Sequence, residues 1–344
     1  MRQPSWAAAT ATAKLSPTLP DRGPSAEGLP LPDRSLTSDR ETTSPPSSYS
    51  RTTMALDILR ITDSACPFAY AAEPALSVLR HRYGTQINWS LGMIGLAENH
   101  DLFEEKGFTS EMIAISNASF SRRYGMPTTS EVMARPLASW LGCKAVVAAR
   151  LNQPELEANV HRALQIAWFT TALVLDEEAP LQTVLEQVDG LDAKATLEAA
   201  VNDQKVADAF AEDRYKARSA QGSPTEAQNK HAMDGDLVRY TAPSLLMTSN
   251  DGRELEAGGF QRVEAYDVII ANADPTLTRH TTATAAEALE ASPWGLCPAE
   301  VAAILAAPLS EPDVAAAEVE LIKLVVAGDA KRVAAGNGAF YSIA

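Results

Sequence analysis

From residue 56 onward the chain alternates between short, branched apolar runs and longer stretches of helical spacing. Leu56-Asp57-Ile58-Leu59-Arg60-Ile61 predicts a strand by its length and β-branched content, and Asp63-Ser64-Ala65 breaks it. Over residues 67–83, Ala72, Leu76, Leu79 and Tyr83 share one helical face; Pro74 predicts a kink, and Gly84 a stop. Residues 87–94 then read as a second strand. Two strands joined by one helix predict a right-handed crossover with the strands parallel.

Between residues 99 and 236 the visible periodicity is helical. Val160, Leu164, Ala167 and Trp168 mark one helix; Leu181, Val184, Leu185 and Val188 mark another. Strand patterns return at residues 244–248 and 254–256, around the Asn250-Asp251-Gly252 hairpin signal. Gly258-Gly259 ends the second of these, and Val263, Tyr266, Ile269 and Ile270 predict a helix that packs on the sheet. The tail reads as three helices (residues 283–290, 298–305 and 312–326) and a hairpin about Gly336-Asn337-Gly338. The expected organisation is therefore α/β: one domain from 54–98 and 237–275, an all-helical insertion over 99–236, and a winged-helix-like module over 276–344.

Residues 1–53 break the pattern. Ser, Thr and Pro make up 25 of these 53 residues, too few apolar groups to offset chain entropy, so a disordered leader is expected. It has no apolar stretch of the secretory type, and its six basic and five acidic residues do not fit a transit peptide. Met54, directly before the first strand, reads as the true start, with the leader untranslated.

Charge narrows the function. With 46% hydrophobic residues the 344-residue chain can bury a large core, and a net charge of −15 argues against nucleic-acid or anionic-membrane partners. The tail carries four Lys or Arg against eight Asp or Glu, the reverse of a phosphate-reading surface, so a structural or protein-interaction role is expected of it. Three scattered cysteines point to a reducing, cytoplasmic compartment. Five dispersed histidines give no metal-ligand spacing, so neither a metal nor a bound cofactor is expected.

Of the three thiols, Cys66 is placed for chemistry. It falls where the first strand ends and the helix begins, with Pro67 at the first helical position. Free N–H groups and the positive end of the helix dipole there favour thiolate, predicting an acidic, reactive thiol. Asp63-Ser64-Ala65-Cys66-Pro67-Phe68-Ala69-Tyr70 resembles the active-site turn of DsbA-like thioredoxin-fold oxidoreductases, and the actinobacterial FrnE-like branch in particular. Pro74 matches that fold's helix-kinking proline, and Tyr240-Thr241-Ala242-Pro243-Ser244-Leu245-Leu246 its cis-proline segment. Arg123-Tyr124-Gly125-Met126-Pro127 and residues 143–150 also resemble the branch. The resemblance, which spans about residues 54–275, implies Cys66 as nucleophile and Pro243 as shaper of the substrate groove. It implies that Pro67, Phe68 and the backbone of Ala242 meet the substrate.

The family's second cysteine is replaced by Ala69. Three readings stay open. Cys66 acts alone, with glutathione or another small thiol as co-substrate; or Cys143, ahead of Cys297, resolves the mixed disulfide; or the chain is a glutathione-dependent isomerase or transferase of the kappa or hydroxychromene-carboxylate isomerase type, or a non-catalytic binder. Arg122, Arg123 and Arg135 are candidates for an anionic substrate, with a solvated face as the plainer expectation. Glu73 reads as a surface carboxylate, or a proton acceptor if buried, and Tyr70 as a hydrogen-bond donor to a bound thiolate or a packed ring.

Overall fold

The computed structural model describes residues 56–105, 107–249, 251–281 and 284–344. The leader over 1–53, the start at Met54, and residues Asn250 and Ala283 lie outside the described residues. Strand β1 (Leu56–Thr62) runs parallel to β2 (Ile87–Met93), Leu56 opposite Ile87. A hairpin of β3 (His231–Asp234) and β4 (Leu237–Tyr240) forms its own two-stranded sheet. It was not foreseen from the sequence. Next, β5 (Ser244–Thr248) pairs antiparallel with β1, and β6 (Glu254–Ala257) antiparallel with β5, giving the order β2-β1-β5-β6. This is the expected thioredoxin-like sheet.

Where one kinked helix was expected there are two, α1 (Pro67–Ala71) and α2 (Glu73–Tyr83), parted at Ala72. Pro74 falls in the first turn of α2, where its missing N–H costs no hydrogen bond, so it starts a helix instead of bending one. Helices α3 (Asp101–Glu105), α4 (Ser110–Tyr124), α5 (Trp140–Asn152), α6 (Glu157–Thr170), α7 (Glu178–Leu185), α8 (Ala193–Asn202), α9 (Gln204–Ala217) and α10 (Pro224–Ala227) lie between β2 and β3. A shared core of Val146, Val147, Leu164, Leu181, Leu185 and Phe210 holds α5, α6, α7 and α9 together. By contrast α4 buries only Asn117 along its 15 residues. Helix α11 (Val263–Ala273) covers the sheet through Tyr266 and Ile270, against Leu56, Ile58, Leu245 and Met247.

The tail comprises α12 (Ala285–Glu290), α13 (Pro298–Leu305), α14 (Val314–Ala327), β7 (Ala330–Ala335) and β8 (Gly338–Ile343). Leu296 and Tyr341 exchange backbone hydrogen bonds of 2.9 and 2.8 Å, a single bridge that ties the chain before α13 to the hairpin. Leu289, Val301, Leu321 and Tyr341 form its core. The arrangement is winged-helix-like, as expected.

A buried ion network joins these parts. Glu73 was expected at the surface; it is buried, and its carboxylate accepts from Arg60 Nη2 at 2.6 Å and Arg80 Nη1 at 3.1 Å, with Arg162 Nη1 at 3.8 Å. Arg162 Nη2 in turn donates to both oxygens of Glu300, at 2.8 and 2.7 Å. Glu300 also accepts from Ser77 Oγ and the Cys297 N–H. Strand β1 and helices α2, α6 and α13 are thus tied through one set of charges. Burial alone would push the Glu73 carboxyl up, but the cations of Arg60, Arg80 and Arg162 outweigh it and hold it well below the usual range. Glu73 is therefore ionised at neutral pH and too weak a base to hold a transferred proton there.

Replacing Glu73 by Gln leaves buried guanidinium groups unpaired, so urea denaturation should show a loss of about 3–5 kcal/mol. Because the folded carboxyl binds its proton less readily than the unfolded one, Glu73's contribution is complete above the unfolded value of about 4.3 and is lost as pH falls below it. The Glu73→Gln chain should lack that part of the acid sensitivity.

Candidate functional site

Cys66 is the residue before the first turn of α1, with extended backbone (φ −80°, ψ 116°). Its N–H donates to Asp63 O at 3.1 Å and its carbonyl accepts from Tyr70 N at 3.0 Å, so both sides of the turn are closed by backbone bonds. The thiol faces β5: Sγ donates to Ala242 O at 3.5 Å, and the Ala242–Pro243 peptide is cis. Cys66, Ala242 and Pro243, chosen from separate parts of the sequence, therefore meet. Pro67 opens α1, and Ala69, in the fourth position of the motif, is fully buried.

The expected acidity of Cys66 is not found. The residue is only 7% exposed, and burial pushes the thiol up to about 11. Hydrogen bonding from the Ala69 and Phe68 backbone opposes this; the negative charge of Asp63 adds to it. A five-residue helix has too little dipole to prevail.

Below the turn, Asp63 is itself buried. Its Oδ1 accepts from Ala65 N at 2.9 Å; its Oδ2 accepts from Leu96 N and Ser139 Oγ at 2.9 Å each and from Cys143 Sγ at 3.5 Å. Burial pushes this carboxyl up in spite of these donors. Cys143, fully buried on α5, thus has its thiol directed at Asp63, and burial raises it well above its ordinary value. His161, from α6, braces the turn from another side: Nδ1 lies 3.1 Å from Ser64 Oγ and Nε2 3.5 Å from Thr62 Oγ1. Burial and the nearby Arg60 keep its imidazole neutral. Arg239 on β4 is the cation whose charge favours a Cys66 thiolate, and among the described residues it makes no ion pair with a carboxylate. Sequence reasoning missed both His161 and Arg239; one stands alone on a helix, the other sits in the unforeseen hairpin.

Around Phe68, the second residue after Cys66, lies an aromatic rim, while the sulfur itself is packed among Ala217, Ala220, Val238, Tyr240 and Ala242. Phe68 is 41% exposed and meets Phe120 of α4 edge-on at 4.9 Å and Phe260 at 6.3 Å; Tyr124 lies 5.4 Å from Phe120 and 5.1 Å from Phe260. The other candidates are committed elsewhere. Tyr70 donates to Pro127 O at 2.8 Å and stacks on Phe169, so its hydroxyl serves the backbone and not a bound thiolate. Arg135 pairs with Asp176 and Glu177. Arg122 and Arg123 are exposed, the latter over the Tyr124 ring. The Cys297 sulfur rests 3.6 Å from that of Met126. Among the described residues no cluster of His, Cys, Asp and Glu could hold a metal ion, and no helix is long and apolar enough to cross a membrane.

Sheet order, helix-borne cysteine and facing cis-proline together define a thioredoxin-like fold with a helical insertion and an added module. No protein-family model matches the chain, and no curated protein does. Among solved structures it is similar to a protein disulfide isomerase from Nitrosomonas europaea (16% identity, 63% of this chain and 97% of the other, TM-score 0.49). It is also similar to the cytosolic disulfide reductase DsbM from Pseudomonas aeruginosa (15%, 63% and 98%, 0.46) and to a DsbA oxidoreductase from Streptomyces coelicolor (14%, 67% and 94%, 0.47).

Removing the Arg239 charge should disfavour the thiolate further. Arg239→Met is expected to slow iodoacetamide alkylation of Cys66 at about pH 9 by up to about tenfold, the equivalent of one pKa unit. A rate equal to that of the unaltered chain would show that Arg239 does not act on the thiol.

Proposed function

We propose that the chain is a single-thiol thiol-disulfide exchange protein that carries a small thiol of the glutathione class on Cys66. The observation that supports this best is the Cys66 sulfur at the Ala242 carbonyl, beside cis-Pro243, with alanine where a second motif cysteine would stand. In the exchange step the Cys66 thiolate attacks one sulfur of a disulfide R–S–S–R. The S–S bond breaks, Cys66–S–S–R forms, and the departing RS⁻ takes up the proton that Cys66 gave up. Pro67, Phe68 and Ala242 border the incoming group.

A thiol near 11 constrains the kinetics. Against an ordinary thiol of about 8.5 it offers ~300-fold fewer thiolates near neutral pH, and greater intrinsic nucleophilicity returns roughly tenfold of that. The net attack is about 30-fold slower. Once formed, the adduct is also slow to leave, because a basic thiolate is a poor leaving group. Such a site holds an adduct and does not act as a strong oxidant, whose thiolate would need stabilising. A reducing compartment such as the cytoplasm, with free glutathione, suits this chemistry and the three unpaired thiols.

Incubation with oxidised glutathione should add one glutathionyl group, mapped by peptide mass spectrometry to Cys66 and absent from Cys66→Ser. Its release by reduced glutathione should be slower than from a free cysteine peptide. An adduct on Cys143 or Cys297 in place of Cys66, or none at all, refutes the assignment. Glutathione-dependent isomerisation of a substrate without net thiol oxidation would move the chain into the isomerase class.

A further inference from the structure

We infer that the C-terminal module is a built-in clamp on the thiol site, with Asn337 at the tip of its hairpin as the positioning residue. This rests on Cys66 being the reactive thiol and concerns what controls access to it. The wing of this module is turned inward. Between β7 and β8, the Asn337 Oδ1 accepts from Thr128 N at 2.9 Å, its N–H donates to Thr128 O at 2.9 Å, and its Nδ2 donates to Ser121 Oγ at 3.0 Å. Gly336 has φ +52°, and a Cβ there would lie 2.3 Å from Thr128 O, so only glycine lets the turn approach this closely. The module also reaches the preceding residues. A Cβ on Gly125 would lie 3.0 Å from that of Ala299, the Met126 sulfur touches Cys297, and Pro127 packs against Gly338. Residues 125–128 are therefore gripped along their length by the tail.

That strap has two links to the thiol. It continues directly from α4, whose Phe120 and Tyr124 form the aromatic rim around Phe68. Its Pro127 carbonyl receives the Tyr70 hydroxyl from the motif helix. Helix α4 has little else to hold it, since Asn117 is its only buried residue. Fixing its C-terminal end fixes the rim that meets Phe68, the second residue after Cys66 in the motif. The inward-facing wing thus has an intramolecular use.

The test compares labelling of Cys66 and Cys143 in the full chain by 2,2′-dithiodipyridine, resolved by peptide mass spectrometry. Asn337→Ala loses all three side-chain bonds, two of them to the Ser121 hydroxyl, and Gly336→Ala wedges the turn away; both should speed Cys66 labelling by roughly tenfold, the weight of one to two hydrogen bonds, while Cys143 stays unlabelled. Asn337→Asp keeps the acceptor for Thr128 N and for the Ser121 hydroxyl, which can turn to donate to the carboxylate, and should label at close to the original rate. Unchanged Cys66 labelling in both Asn337→Ala and Gly336→Ala overturns the clamp, as does an equal rise at Cys143, which would report loosening of the whole fold. Because labelling needs only a reactive Cys66, a clamp that fails leaves the glutathione adduct intact, whereas a failed adduct with clamp-dependent labelling refutes the exchange reading alone.

Discussion

Everything around the thiol is hung on the buried carboxylate of Glu73. Three arginines from two helices and a strand converge on it, and Arg162 passes the connection to Glu300 in the tail. Burying so many charges carries a large desolvation cost, which is offset only when each is paired and hydrogen-bonded. The arrangement therefore tolerates little displacement of β1, α2, α6 or α13. Arg60 also donates to the Ala69 carbonyl at 3.3 Å, so the same network reaches into the Cys66 motif. Position at the site is inherited from this pairing more than from the short helix that carries the sulfur.

Two opposed effects meet at Cys66, and their sizes decide between them. A helix N-terminus favours a nearby negative charge by about 0.3–1 kcal/mol. Lifting a thiol to about 11 corresponds to roughly 3 kcal/mol against the thiolate. Burial and the Asp63 charge therefore outweigh the dipole, and the resting sulfur is a hydrogen-bond donor to Ala242. A sulfur held in this way suits slow exchange and retention of an adduct.

The elements legible in the sequence were those written locally. Alternating and branched runs marked β1, β2, β5 and β6, and the cysteine-proline pair marked the start of α1. The turn at Gly336 marked the wing. Cys66 and Pro243 could be placed opposite each other only through the resemblance, because nothing local pairs residues so distant. What stayed hidden depends on partners remote in the chain. Glu73 looks like a surface charge until Arg60, Arg80 and Arg162 are brought to it, and His161 gains meaning only beside Thr62 and Ser64. Desolvation, which reversed the expected acidity of Cys66, is a property of the assembled core and leaves no trace in spacing. The wing contact is similarly non-local: Asn337 is an ordinary turn residue until Thr128 and Ser121 meet it.

The protonation state of Cys66 tests the account most directly. Selective carbon-13 labelling of cysteine Cβ, assigned with the Cys66→Ser chain, allows the Cys66 signal to be followed through a pH titration. The account predicts a thiol signal unchanged across neutral pH, with its midpoint near 11. A thiolate signal already present at neutral pH would mean that the helix end, not the surrounding core, governs the sulfur.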